Sequence, residues 1–187
     1  MEEQKVGFIK RIDLKAESKG KTIAFLWQFT KFLVVSLLTT GVQLLLVNIL
    51  FFALKDWKPD LPNFMNAIFS ESSVGAGNNN WGYVLPFFVS NLIANTIGYF
   101  LNRSKTFRSD APWWHFVIYI VTLFLLIVFA TWLQGVVANA LISTNINFFM
   151  KTAPTIAAMV AGTLQFVTLF PLQKYVLLRE KKENKGE

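Results

Sequence analysis

NLIANTIGYFLNRSKTFR, residues 91–108, begins apolar enough to sit in lipid and ends in a cluster of cations. Asn91, Asn95 and Asn102 fall within about 40° of one another at 100° per residue, with Gly98 on the same stripe. The stripe leads into Arg103, Lys105 and Arg108. A row of amides that closes on cations suits a lipid carrying sugar hydroxyls and a phosphate. Amides in membrane helices also join one helix to another, each contributing roughly 1 kcal/mol or less. The pattern carries both readings, path and packing.

The rest of the chain agrees with a membrane setting. Of its 187 residues, 53% are hydrophobic and 16% charged, and the mean hydropathy is +0.44. That composition is too apolar for an ordinary soluble domain and predicts an all-α, polytopic integral membrane protein. The net charge of +7 points to anionic lipid headgroups and not to nucleic acid, because the bases flank apolar runs. There is no cysteine, which excludes disulfides and thiol chemistry. One histidine, and no acidic residue within any long apolar run, speak against a metal site. No nucleophile–base pair assembles to suggest an enzyme, and nothing calls for a cofactor.

Working outward from residues 91–108, the second span reads as 81–101, with Pro86 in its first turns, where a missing N–H costs least. Ser90, Ala94 and Gly98 recur every four residues, a small-residue row that permits close helix contact. The first span reads as 32–54, with Ser36, Thr40 and Gln43 on one face. The third reads as 116–138, carrying Thr131 and Gln134 near its far end. The fourth reads as 152–177, with Pro154 in its first turn, Ala158, Ala161, Gly162 and Gln165 on one face, and a kink predicted at Pro171. The membrane domain is then 32–178, flanked by a basic N-terminal segment, 1–31, and a charged, disordered tail, 179–187. In the first segment Val6, Ile9 and Ile12 fit a short interfacial helix, and a solvated tail fits equally. In the loop 55–80, Phe64, Met65, Ile68 and Phe69 have helical spacing, as a surface helix or as a lid. His115 follows Trp113 and Trp114 and reads as an interfacial anchor, with Asp110 its one visible partner.

Four spans with both termini inside place 15 of the 18 Lys and Arg on the cytoplasmic side, leaving Lys55, Lys58 and Lys151 outside, a strong positive-inside asymmetry. An internal echo pairs Phe100, Asn102 and Arg103 at the end of span two with Phe170, Gln173 and Lys174 at the end of span four, with a one-residue offset. It reads as two parallel-repeat hairpins, or as the chance likeness that apolar sequence produces.

The phrase Gly98-Tyr-Phe-Leu-Asn102-Arg103-Ser-Lys-Thr-Phe107, the opening Phe32-Leu-Val-Val-Ser-Leu-Leu-Thr-Thr-Gly41 and the four short-looped spans resemble the GtrA-like family over residues 25–180. Lys105 stands where that family often has an aromatic. Gln173-Lys174-Tyr175-Val176-Leu177 loosely replaces its pattern at the end of span four, and the loop 55–80 is larger than typical. The resemblance implies a small bacterial protein of the cytoplasmic (inner) membrane that flips a polyprenyl-phosphate-linked sugar for cell-surface polysaccharide or teichoic-acid glycosylation, with membrane glycosyltransferases as partners. On that reading Arg103, Lys105, Arg108 and Lys174 collect the phosphate. Gln43, Asn91, Asn95 and Asn102 replace the hydrogen bonds between sugar and water. Four helices are few for an enclosed path, so a homo-oligomer or a groove open to membrane lipids is expected. Two other readings remain: a non-transporting anchor subunit of a glycosyltransferase system, and a small exporter of amphipathic molecules. The second lacks a membrane carboxylate to carry protons.

Overall fold

In hydrocarbon no water satisfies the backbone, so a long apolar run must bond to itself, and here it does so as helix. The computed structural model describes residues 8–179. Helix α1 spans Phe8–Ser18, α2 Lys21–Ala53, α3 Asn63–Asn66, α4 Glu71–Val74, α5 Trp81–Leu101, α6 Trp114–Ile142 and α7 Asn147–Pro171. α5 runs on into a π-helical turn, Asn102–Thr106, and α7 into another, Leu172–Leu177. α2 and α6, and α5 and α7 with the turns that extend them, are long and apolar enough to cross a membrane. The described residues form no sheet, only an isolated bridge between Asp60 and Asn80 at the base of the loop 55–80. The fold is the all-α, four-span one that the apolar runs predict.

The helix ends follow the breakers and not the ends of the apolar runs. α2 has 33 residues, about 50 Å, against a hydrocarbon core of about 30 Å. It starts at Lys21, well before Phe32, because nothing between Thr22 and Lys31 stops a helix. Gly20 does stop it, with a φ of 105° that ordinary residues resist. At Pro171, where the sequence predicts a kink, the helix widens from α to π.

α2 packs chiefly on α5, and α6 on α7, giving two antiparallel hairpins. Ser90, Ala94 and Gly98 are all buried on α5. A Cβ on Gly98 would lie 3.0 Å from Cγ2 of Thr39 on α2, so the small-residue row is a packing seam. On α7 the buried small residues are Ala153, Ala157 and Ala161, while Ala158 and Gly162 face outward. The hairpins join at one end, where α1, residues 102–113 and residues 172–179 meet. We call this the basic end. Phe32, Tyr99, Phe107, Tyr119, Phe170 and Leu177 form the main core there. Phe170 receives the rings of Phe29 and Phe32 at 5.1 Å each, which ties α7 to α2.

At the opposite end the loop 55–80 folds inward. Leu61, Phe69 and Val74 are buried with Val84 in a second core, and Phe64 stays exposed. α4 lies on α6, where Gln134 donates through Nε2 to the Ser73 carbonyl (2.9 Å). A Cβ on Gly135 would sit 2.2 Å from Ser73 Oγ. Gly135→Ala is therefore expected to lift α4 off α6 at a cost of about 1–3 kcal/mol. Hydrogen exchange across residues 70–74, together with the melting temperature in detergent, checks this. Unchanged exchange would show that the loop is not held at Gly135.

Candidate functional site

The basic end is organised by a residue outside the expected set. Asp13 on α1 is 3% exposed, and its carboxylate accepts from Trp27 Nε1 (2.5 Å), from Lys31 Nζ (2.9 Å) and from the Arg108 guanidinium. A buried carboxylate needs such partners, since desolvating it alone is very costly. The N-terminal helix expected from Val6, Ile9 and Ile12 is present as α1, although Val6 itself lies outside the described residues. It is docked, not merely resting at an interface. Helical spacing places Asp13 on one face with Ile12 and Ala16, and that is the face of α1 that packs, while Ile9 stays exposed. Lys31 also donates to the Lys105 carbonyl (3.2 Å).

The expected phosphate ligands divide into separate settings. Arg108, with φ 47°, pairs with Asp13. Arg103 turns back over its own loop, donating through Nε to the Ser109 carbonyl (3.3 Å) and through Nη2 to that of Ala111 (2.5 Å). Lys105 is exposed. Lys174 lies apart from these three, beside α2. It donates to Gln28 Oε1 (2.7 Å) and sits 4.2 Å from the centre of the Phe25 ring, an arrangement that combines a charge-assisted hydrogen bond with a cation–π contact. Next to it opens a cavity of about 330 Å³ lined by Gln28, Phe107, Lys174, Tyr175 and Arg179.

The amides form a second group, deeper in the bundle. Asn91 is buried, and Asn95 donates through Nδ2 to its Oδ1 (2.9 Å) and to its backbone carbonyl (3.0 Å). Tyr119 on α6 donates to the Asn95 carbonyl (3.2 Å). The antiparallel register that sets Thr39 against Gly98 brings half-buried Gln43 to the level of Ala94, one turn on, and so to the level of these two amides. Asn102 is buried nearer the basic end, its Oδ1 accepting from the Thr106 hydroxyl (2.9 Å). Asn91 and Asn95 thus bond to each other, while Asn102 bonds within its own turn.

Two further expectations change. His115 finds its partner in the Leu177 carbonyl, to which Nδ1 donates (2.6 Å), so it ties α6 to the second π turn. The charged tail starts anchored: the Arg179 carbonyl accepts from Ser109 Oγ (2.9 Å) and its Nε donates to the Tyr175 carbonyl (2.7 Å). The rest of the tail lies outside the described residues. Among the described residues no group of three His, Cys, Asp or Glu is placed to hold a metal ion. At the loop end a second cavity, of about 580 Å³, is walled by apolar side chains that include Ile68, Trp81, Phe88, Leu92 and Phe124.

Comparison with protein-family models, with curated proteins and with solved structures found no match for this chain. The likeness to the GtrA-like family therefore stands on the motifs quoted above and on a four-helix architecture that is consistent with that family without being specific to it.

Proposed function

We propose that the protein flips an anionic, sugar-bearing polyprenyl lipid between the leaflets of a bacterial cytoplasmic membrane, with its basic end in the cytoplasm. The observation that carries this reading is a cation-lined cavity at the basic end of the same four-helix bundle whose α5 carries the paired amides Asn91 and Asn95. A lone charge at mid-membrane costs from a few to about 15 kcal/mol. Cations at the entry and amides on the way lower that cost for a phosphate and for hydroxyls respectively. The tail needs no polar path, and the apolar cavity at the loop end suits a hydrocarbon chain. Lys174 lines that entry, and exposed Lys105 adds positive charge at the same end of the bundle, where Arg103 and Arg108 are engaged by the loop carbonyls and by Asp13. Gln43, Asn91, Asn95 and Asn102 supply hydrogen bonds.

The test is lipid translocation by purified protein in liposomes. One negative charge leaving an inside-negative compartment gains about 2.3 kcal/mol per 100 mV. No acidic residue lies in α2, α5, α6 or α7. Translocation is therefore expected to respond to membrane potential and to need no pH gradient, and a strict proton-gradient requirement at fixed potential would sink the mechanism. Asn91→Ala and Asn95→Ala are each expected to slow it about five-fold, the worth of one hydrogen bond in the transition state. One observation favours the anchor reading instead: only 6% of the most apolar stretch of α2 is buried, leaving a broad face for lipid, a second copy or a transferase. An anchor would not accelerate lipid movement in the same liposomes.

A further inference from the structure

The two spans that end at the basic end do so with the same device. α5 passes at Asn102, and α7 at Leu172, into a π-helical turn. Each turn is closed by a bond across five residues, from Phe107 N to the Asn102 carbonyl (2.8 Å) and from Leu178 N to the Gln173 carbonyl (2.7 Å). Each carries a buried amide directly before a cation, Asn102 before Arg103 and Gln173 before Lys174, and each ends on a buried apolar residue. π-helical turns are rare and recur at functional sites. The echo in sequence is thus matched by an echo in backbone geometry, with Asn102, Arg103 and Phe107 answering to Gln173, Lys174 and Leu178.

The copies differ in their chemistry. In the first, Asn102 Oδ1 accepts from Thr106, and Arg103 is committed to the Ser109 and Ala111 carbonyls. In the second, Thr106 is replaced in register by Leu177, which has nothing to donate. Gln173 is 2% exposed, and its Oε1 has no hydrogen-bond partner. A buried amide oxygen without a partner is uncommon in a folded protein. Beside this incompletely bonded turn lies the cavity lined by Gln28, Lys174, Tyr175 and Arg179. Two cations and an amide converge on it, with Phe107 of the first turn as its apolar wall.

We infer that the first turn is the structural copy and the second the ligand-bearing one, and that the Lys174–Arg179 cavity seats a phosphate ester with Gln28 holding Lys174 in place. A point charge from Lys174 and a planar guanidinium from Arg179 are the usual partners of a phosphate. The family resemblance gave the phosphate to Arg103, Lys105, Arg108 and Lys174 together. This assignment keeps Lys174 of the second hairpin and adds Gln28 and Arg179. It rests on the reading that the protein handles an anionic lipid, and its test lets the two fail separately.

The full-length protein in detergent is titrated with farnesyl phosphate, farnesol and inorganic phosphate, followed by native mass spectrometry. Farnesyl phosphate is expected to bind, and farnesol is not expected to compete. Lys174→Ala is expected to weaken binding about ten- to hundred-fold, the worth of one charge-assisted hydrogen bond. Lys174→Arg should recover much of that loss. Arg179→Ala, at an exposed position where folding is not at stake, should also weaken binding. Lys151→Ala at the opposite end should not. Inorganic phosphate displacing the probe with the same dependence on Lys174 and Arg179 supports the site with free phosphate as its source. Farnesyl phosphate binding alike to the wild type, Lys174→Ala and Arg179→Ala overturns it, even if liposome translocation is intact. Binding that depends on Lys174, in a protein that moves no lipid, upholds the site and removes the flippase reading.

Discussion

Asp13→Ala is expected to cost about 3 kcal/mol of stability and to release α1 from the bundle. Removing one partner of a buried ion pair typically costs 3–5 kcal/mol, because the charges left behind are desolvated and unpaired. The lower figure applies here because Arg108 is 40% exposed, while Lys31 is 14% exposed and recovers less from water. Release should appear as fast hydrogen exchange over residues 8–18, with α5, α6 and α7 still protected. Arg108→Ala should lose less, and the double variant should lose less than the sum of the two, since both remove the same contact. Arg108→Gly should be milder than Arg108→Ala, because a φ of 47° suits glycine. Slow exchange over residues 8–18 in Asp13→Ala would mean that apolar contacts alone hold α1.

Arg103→Ala is expected to be the most damaging change on α5 and its extension, at about 2–4 kcal/mol, because two partly buried carbonyls lose a charged donor. The loop 109–111 should loosen, and with it the Arg179 carbonyl that Ser109 holds. Arg103→Lys should recover only part of this, since an ammonium cannot span two carbonyls as a guanidinium fork does. A phosphate ligand would penalise lysine at this position for the same reason, so the conservative substitution does not separate scaffold from ligand. The comparison that does is melting temperature against translocation rate over Asn91→Ala, Asn95→Ala, Arg103→Ala and Arg103→Lys. If activity falls in proportion to stability throughout, this stripe is packing. If Asn91→Ala and Asn95→Ala slow translocation at unchanged melting temperature, it is path.

The four spans and the all-α fold were legible from local sequence, because hydrocarbon leaves an apolar run only one way to satisfy its backbone and because length and hydropathy are sums over neighbouring residues. The small row Ser90, Ala94, Gly98 was legible for a similar reason: the period of a helix alone puts these residues on one seam. The partners were not. Asp13 is one acid in a basic segment until the fold brings Trp27, Lys31 and Arg108 around it, over separations that no local pattern encodes. Arg103, Arg108 and Lys174 are similar cations at span ends in sequence. Only the tertiary structure gives the first to its own loop, the second to α1, and the third to a cavity beside α2. The sequence by itself determined that polar groups would be held within a four-helix membrane bundle; which bond to each other and which border a cavity depended on how the two hairpins meet, because a hydrogen bond is settled by distances of tenths of an ångström between residues far apart in the chain.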